Sequence, residues 1–295
     1  MSGLDHVILT RFNLPSEGNE SLVRARDGWL SDRVVLFERY CLPSVRAQSC
    51  RNFRWIIYFD PESPDWLKAR IEEWRENEFL HPIFRATVSR DEMVSDLVGV
   101  VGEPGSALIT TNLDNDDGLA TDFIERLQAE YCPEAKTALY LTNGLIKRGD
   151  RVYLRTDKDN AFCSVREDWS DPVGCWATPH NHLHRIMATR PIGGEPAWLQ
   201  VVHGANVSNR VRGRLVSPAR YRKLFLDMLE DVKEPRKRDF LGEALVHQPK
   251  RFLREFARQT VKQLVWRAFG FQALDRMKKA RTAIAGRLSQ HRAAL

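Results

Sequence analysis

The sequence predicts an α/β fold: a mostly parallel sheet flanked by helices, antiparallel additions later in the chain, and a basic helical C-terminal extension. Three observations carry this. Short β-branched runs alternate with helical patterns of roughly ten to fifteen residues, which makes right-handed crossovers between parallel strands the expected connection. The alternation breaks down after residue 135. Charge divides unevenly, with 22 Lys and Arg against 8 Asp and Glu from Arg210 to the end, and 23 against 31 before it.

His6 to Asn13 reads as a first strand, and Asp32 to Ala47 sets Val35, Leu36, Tyr40, Leu42 and Val45 at helical spacing interrupted by Pro43. Phe53 to Phe59 is a buried strand. Ser63 and Pro64 form a helix entry into Trp66 to Trp74, with the serine as cap and the proline at the first helical position. Pro82 to Val88 follows as a third strand. Ser89 and Glu92 are spaced as a capping box opening Met93 to Val101, and Ala107 to Leu113 is the next strand. Thr121 is placed to cap a helix through Glu130. Thr137 to Thr142 and Arg151 to Arg155 resemble the arms of a hairpin joined through Lys147 to Asp150. Pro196 to His203 reads as a further strand, Ser217 and Pro218 start a helix through Val232, and Arg236 to Arg238 marks a linker into residues 236–295. Residues 1–235 are accordingly the expected catalytic domain.

Composition narrows the classes. With 43% hydrophobic residues and 28% charged, the chain can bury a substantial core. No run approaches the ~20 apolar residues that span a bilayer, and the N-terminus lacks a basic region followed by an apolar one, so a cytoplasmic location is expected. Five scattered cysteines, an odd number without a C-x-x-C pair, argue against a disulfide framework or a zinc site.

The best clue to chemistry is Asp114-Asn115-Asp116-Asp117-Gly118, directly after an apolar, β-branched run. In extended backbone, side chains at i and i+2 leave the same face, so Asp114 and Asp116 can converge on one hard divalent cation while Asp117 points away. A calcium loop is excluded in detail, because Gly118 is fifth and Leu119 sixth from Asp114. A solvated turn capping the next helix is the bland alternative. In an open parallel sheet, ligands bind beyond the carboxyl ends of the strands. Thr10, Arg11, Asp60, Ser89, Arg90 and the aspartates would all emerge there.

These residues carry a resemblance. Leu113 to Leu119 is similar to the D-x-D motif of glycosyltransferases of the GT-A fold, and the chain resembles a bacterial family of rhamnosyltransferases. The likeness runs through Val7 to Asn13, Phe37 to Gln48, Asn52 to Trp55 and Trp198 to Asn206. It implies a GT-A-like, nucleotide-binding sheet and transfer of a sugar, rhamnose by the family's label, from a nucleoside-diphosphate donor to a glycan or lipid-linked acceptor in surface polysaccharide synthesis. It also implies Mn²⁺ or Mg²⁺ held by Asp114 and Asp116, with the late histidine, His203, completing the metal shell and Asn206 near phosphate or metal-bound water. Thr10, Arg11, Phe12, Asp60, Arg90 and Asp114 would line the nucleotide-sugar pocket: the arginines against the diphosphate, Asp60 on base or ribose.

An inverting transfer needs a general base within reach of the acceptor hydroxyl. Glu167, Asp168, His180 and His184 are the candidates, while Asp117 would orient an acceptor or ribose hydroxyl; His180 and His184 would share a face if their segment is helical. Lys250 to Ala268 is amphipathic and basic, so residues 250–292 offer either a contact with an anionic membrane, on the inner face of the plasma membrane, or a helix packed on the body. Two rival classes remain: a nucleic-acid-binding protein using the basic third, for which no aromatic-basic motif speaks, and a metal-dependent phosphohydrolase, which lacks clustered His and Asp ligands.

Overall fold

Val7, Ile8 and Leu9 have no solvent-accessible surface, as expected of a strand covered on both faces in the middle of a parallel sheet. In the computed structural model, which describes residues 3–15, 28–75, 79–203, 210–251 and 253, this strand is β1 (Leu4–Arg11). It pairs in parallel with β2 (Arg54–Phe59) on one side and β4 (Ala107–Asn112) on the other. Beyond β2 lies β3 (Leu80–Phe84), also parallel. Beyond β4 the chain adds β9 (Ser164–Glu167), antiparallel to both β4 and β6 (Lys136–Leu141), and β10 (Ala188–Ile192) closes the other edge. The order is β10-β6-β9-β4-β1-β2-β3.

Successive residues feed two cores. Ile8, Trp55, Ile57 and Phe59 pack on one face with Phe12, Phe37 and Trp74, whereas Val7, Leu9, Ile56 and Tyr58 pack on the other with Met93 and Leu97. Helices supply the covering layers: Trp29–Leu36 (α1), Leu42–Arg46 (α2), Asp65–Arg75 (α3), Arg90–Val101 (α4) and Phe123–Gln128 (α5). The capping box on α4 forms as the spacing predicts, Ser89 accepting from the Glu92 N–H and Glu92 from the Ser89 N–H at 2.8 Å.

A second sheet, ordered β12-β8-β7-β11-β5, comprises β5 (Gly118–Leu119), β7 (Asn143–Arg148), β8 (Arg151–Thr156), β11 (Trp198–Val201) and β12 (Arg214–Val216). The hairpin arms are therefore β7 and β8; Thr137 to Thr142, taken from the sequence as one arm, belongs to β6 in the other sheet. The break falls at Thr142, where the chain leaves one sheet for the other, and Gly149 takes the positive φ of 55° that the two-residue loop requires.

Other boundaries move for physical reasons. Pro43 does not break its helix, because the preceding turn, Phe37–Cys41, widens to a π-helix in which the Leu42 N–H reaches the Phe37 carbonyl. Ser63 is not the cap of α3: its hydroxyl donates to the Asp60 carbonyl at 2.6 Å, and the Pro64 carbonyl takes the first helical bonds. Strand β3 starts two residues earlier than its sequence suggests. Thr121 is not at the cap position: α5 begins at Phe123, Asp122 precedes it without a side-chain cap bond, and the Thr121 N–H is bonded to the Leu224 carbonyl at 2.9 Å. The helix expected from Ser217 to Val232 is broken into Ala219–Tyr221, Arg222–Phe225 (α6) and Leu226–Leu229, with Leu226 at a φ of 45°.

The chain divides into two compact units: Met1–Pro15, Leu30–His203 and Asn209–Glu234 form the first, and Ser16–Trp29, Gly204–Ser208 and Pro235–Leu295 the second. In the second, Arg236 stands at the N-terminal cap of Lys237–Gly242 (α7), which is followed by a π-helical stretch, Glu243–His247, where Glu243 pairs with Arg251. Leu241 and Leu245 are exposed. Nearly all of the amphipathic segment Lys250 to Ala268, all of 276–292, and Asn206 lie outside the described residues. Among the described residues no helix is long and apolar enough to cross a membrane.

His6 is buried, with Nε2 2.8 Å from the Thr111 hydroxyl, and loss of solvation drops its imidazole to about 3. An unfolded His6 takes up its proton near 6.5, so the folded state loses stability as pH falls from about 6.5 toward 3, by at most ~1.4 kcal/mol per pH unit, and keeps it fully above that window. Urea unfolding between pH 4 and 7 should show this slope, flattened in His6→Gln. Phe12→Ala should cost about 3–5 kcal/mol, since its ring fills the aromatic core.

Candidate active site

The strands β1 and β4 are parallel and end side by side, so Arg11 and Asn112 mark one rim of the sheet. Short bonds hold the turn beyond β4 in place. The Thr10 hydroxyl donates to the Leu113 carbonyl at 2.8 Å and accepts from the Trp55 indole at 2.9 Å. Asn115 is buried and donates to the Phe12 and Arg11 carbonyls at 2.6 and 3.2 Å. The aspartate turn is thereby lashed to the end of β1, and the Asp117 N–H closes it onto the Asp114 carbonyl at 3.3 Å.

The three carboxylates occupy different environments. Asp114 is exposed, yet the protein packed around it pushes its carboxyl up to about 6; Asp116 adds to this, and Asn112, His180 and Arg33 work against it. Asp116 is buried, which opposes ionisation, but hydrogen bonds from His203 and Arg33 and their charges prevail and hold its carboxyl below the usual range. Asp117 is also buried, and desolvation, then the charges of Asp116 and Asp114, raise it well above an ordinary aspartate. Its side chain is closed off from solvent and so is not placed to orient an acceptor or ribose hydroxyl.

Asp116 Oδ2 is shared. His203 Nε2 lies 2.9 Å away and Arg33 Nη1 2.7 Å, while the same Arg33 nitrogen donates to Asn115 at 3.0 Å. His203 arrives from β11, two residues past its end. The Asp116–His203 contact is a hydrogen bond of ordinary length. A carboxylate oxygen with an imidazole nitrogen is also a donor pair suited to Mn²⁺. Among the described residues no group of three or more His, Cys, Asp or Glu could hold a metal ion by itself, so a metal here would take its remaining ligands from water or a bound anion.

Around Asp114 stand Asn112 and Trp176, which the sequence did not single out, together with Arg11 and His180, which it did. Asn112 accepts from the Trp176 indole N–H at 2.7 Å and bonds Asp114, and the Arg11 guanidinium lies 4.0 Å from the centre of the Trp176 ring. His180 Nδ1 is 2.5 Å from the Asp159 carbonyl. A carbonyl can only accept, so Nδ1 carries a proton and Nε2 is the ring nitrogen left outside that bond. The histidines lie in a 3₁₀ helix, His180–Arg185, whose three-residue turn removes His184 from the face of His180.

Other expected site residues are placed elsewhere. Phe12 lines no pocket: it is 1% exposed and packs against Phe37, Phe59 and Trp74. Thr10 is spent on its two structural bonds. Glu167 is excluded as the base because it pairs with Leu108, at the start of β4, about 13 Å along the strand from Asn112. There its carboxylate accepts from the Val173 and Gly174 N–H groups at 2.9 and 2.8 Å and lies 3.8 Å from Lys136. Asp168 is half-buried just past β9, its Oδ1 accepting from the Ser170 N–H at 2.8 Å. Arg90 pairs with Asp171 and donates to the Pro172 carbonyl at 3.0 Å, so its charge serves the loop after β9 instead of a diphosphate. Asp60 stands just past β2, half-buried, with Oδ1 accepting from the Glu62 N–H at 2.9 Å. Arg33 was legible in principle, as a cation four residues before Phe37 on a helix face that continues through Tyr40 and Cys41. Trp176 and Asn112 had no sequence signal.

A family model described as "Putative rhamnosyl transferase" matches residues 5–215. No curated protein matches the sequence. Among solved structures, residues 1–349 of S. aureus TarS in complex with UDP share 11% identity at a TM-score of 0.40, over 81% of this chain and 71% of that one. A longer S. aureus TarS structure gives 11% identity and 0.40 over 68% of this chain, which spans 36% of that chain's length. The inositol-1-phosphate CTP transferase from T. maritima gives 9% and 0.36, over 78% and 97%.

Glu167→Gln should lower stability by about 1–3 kcal/mol, the cost of weakening a buried hydrogen-bonded group, and leave turnover per folded molecule unchanged. Unfolding curves measured beside rates test both halves.

Proposed function

The chain belongs to the rhamnosyl transferase family, a family of glycosyltransferases, and on that premise we propose that it moves a sugar from a nucleoside-diphosphate donor to a saccharide acceptor with the help of a divalent cation. The observation that carries the reading is Asp116 facing His203 at 2.9 Å, on the rim where parallel strands end. Asp116 and His203 would hold Mn²⁺ or Mg²⁺, with Asp114 beside them on the open side. When bound, the cation neutralises negative charge on the departing diphosphate.

The chain's own residues supply the rest. Arg33, already within the cluster, adds positive charge beside Asp116. Arg11, flattened on Trp176, presents a second guanidinium at the same rim. Asp60 is placed to accept from a ribose or base. His180, with Nδ1–H donated to the Asp159 carbonyl, would take a proton from an acceptor hydroxyl through Nε2. A glycan or lipid-linked acceptor in surface polysaccharide synthesis, rhamnose as the sugar, and attachment to an anionic membrane through residues 250–292 belong to the same proposal and rest on the family resemblance and on the basic C-terminal third.

Nucleotide-sugars screened for thermal stabilisation with and without Mn²⁺ should identify one that raises the melting temperature only with metal. Asp116→Asn should abolish that metal-dependent rise; a rise that persists would reject the reading. With the donor known, His180→Gln should lower kcat about 10²–10⁴-fold while the donor KM stays near its parent value.

A further inference from the structure

Strand β5 pairs with β11 over two positions only, Leu119 with Trp198 and Gly118 with Leu199. One and two steps further, the same antiparallel register would set Asp117 opposite Gln200 and Asp116 opposite Val201. The backbone turns away instead, and Asp117 Oδ1 takes the Val201 N–H at 2.7 Å in place of the missing strand partner. On the other side, the Val202 N–H is bonded to the Lys147 carbonyl of β7 at 2.8 Å. Consecutive N–H groups are thus anchored to opposite neighbours immediately before His203.

Asp117 is 1% exposed, and its Oδ2 has no hydrogen-bond partner among the described residues. Burying a carboxyl with one oxygen unsatisfied is costly, and an apolar side chain of similar volume would avoid that cost. What the apolar side chain could not do is hold Val201. We propose that Asp117 is a positioning residue: its carboxyl fixes the end of β11, and with it His203, at bonding distance from Asp116. This rests on the reading of Asp116 and His203 as the metal pair. It also gives the third aspartate of the cluster a purpose other than contact with substrate.

The test uses the full-length chain, with the His203 ring nitrogens assigned in a ¹⁵N imidazole spectrum by their loss in His203→Gln. In the metal-free protein, Asp117→Leu should move the His203 signals toward those of a solvent-exposed histidine. Asp117→Asn, which keeps an acceptor for Val201, should leave them in place. Adding Mn²⁺ should broaden the His203 signals in the parent and in Asp117→Asn, with affinity about 10–100-fold weaker in Asp117→Leu, as when a group that orients a metal ligand is lost. Should Asp117→Leu not fold, Asp117→Ala removes the same acceptor with less bulk. Unshifted His203 signals in a folded Asp117→Leu or Asp117→Ala, or an Asp117→Asn that shifts as far as either, would overturn the proposal. If Mn²⁺ leaves the parent's His203 signals sharp, the metal reading fails, and the metal-free spectra still decide the role of Asp117.

Discussion

One oxygen, Asp116 Oδ2, is where three parts of the molecule meet: the turn after β4, the first helix through Arg33, and the end of β11 through His203. A buried carboxylate must be paired or it will not stay charged. Here the pairing reaches across elements 83 and 87 residues apart in number, from 33 and 203 to 116. Sheet order explains how they come together. β1 and β4 end side by side, β5 carries the chain out of the turn, and pairing of β5 with β11 brings His203 back to where the turn began.

Placing three aspartates within four residues creates mutual repulsion that the fold resolves by giving each a different environment. Asp116 keeps its charge because Arg33 and His203 are there. Asp117 is forced toward its neutral form by burial and by its neighbours. Asp114 sits between these extremes, reached by water but crowded by protein, and a ligand bringing positive charge to the rim would favour its ionised form. The three ionisations are thereby pushed in different directions. The Asp114 side also carries the Asn112, Trp176 and Arg11 contacts, which give it a hydrogen-bonding and a cationic face.

The sequence made the outline of this arrangement readable. β-branched runs with no polar alternation gave β1, β2 and β4, because strands covered on both faces select for just that composition. A carboxylate cluster directly after such a run located the rim. Less readable were features decided by long-range packing. Phe12 and Thr10 lie close together at a strand end that looks ligand-facing, yet the ring turns into the aromatic core and the hydroxyl is consumed by Leu113 and Trp55. Glu167 looked free until the antiparallel insertion of β9 carried it to the opposite end of β4. Local patterns report which residues are buried; they do not report which end of a sheet an inserted strand will deliver. The π-helical turn before Pro43 and the split of β6 from β7 at Thr142 are similar cases, in which tertiary packing overrode a sound local rule.

The central proposal is that Asp116 and His203 together hold a divalent cation at the sheet's rim. Anomalous scattering from Mn²⁺ in crystals grown with a nucleoside diphosphate tests it most directly. The account requires a peak about 2.1–2.2 Å from Asp116 Oδ2 and His203 Nε2. A nucleotide bound at the rim with no metal peak there, and with His203 still hydrogen-bonded directly to Asp116, would contradict it.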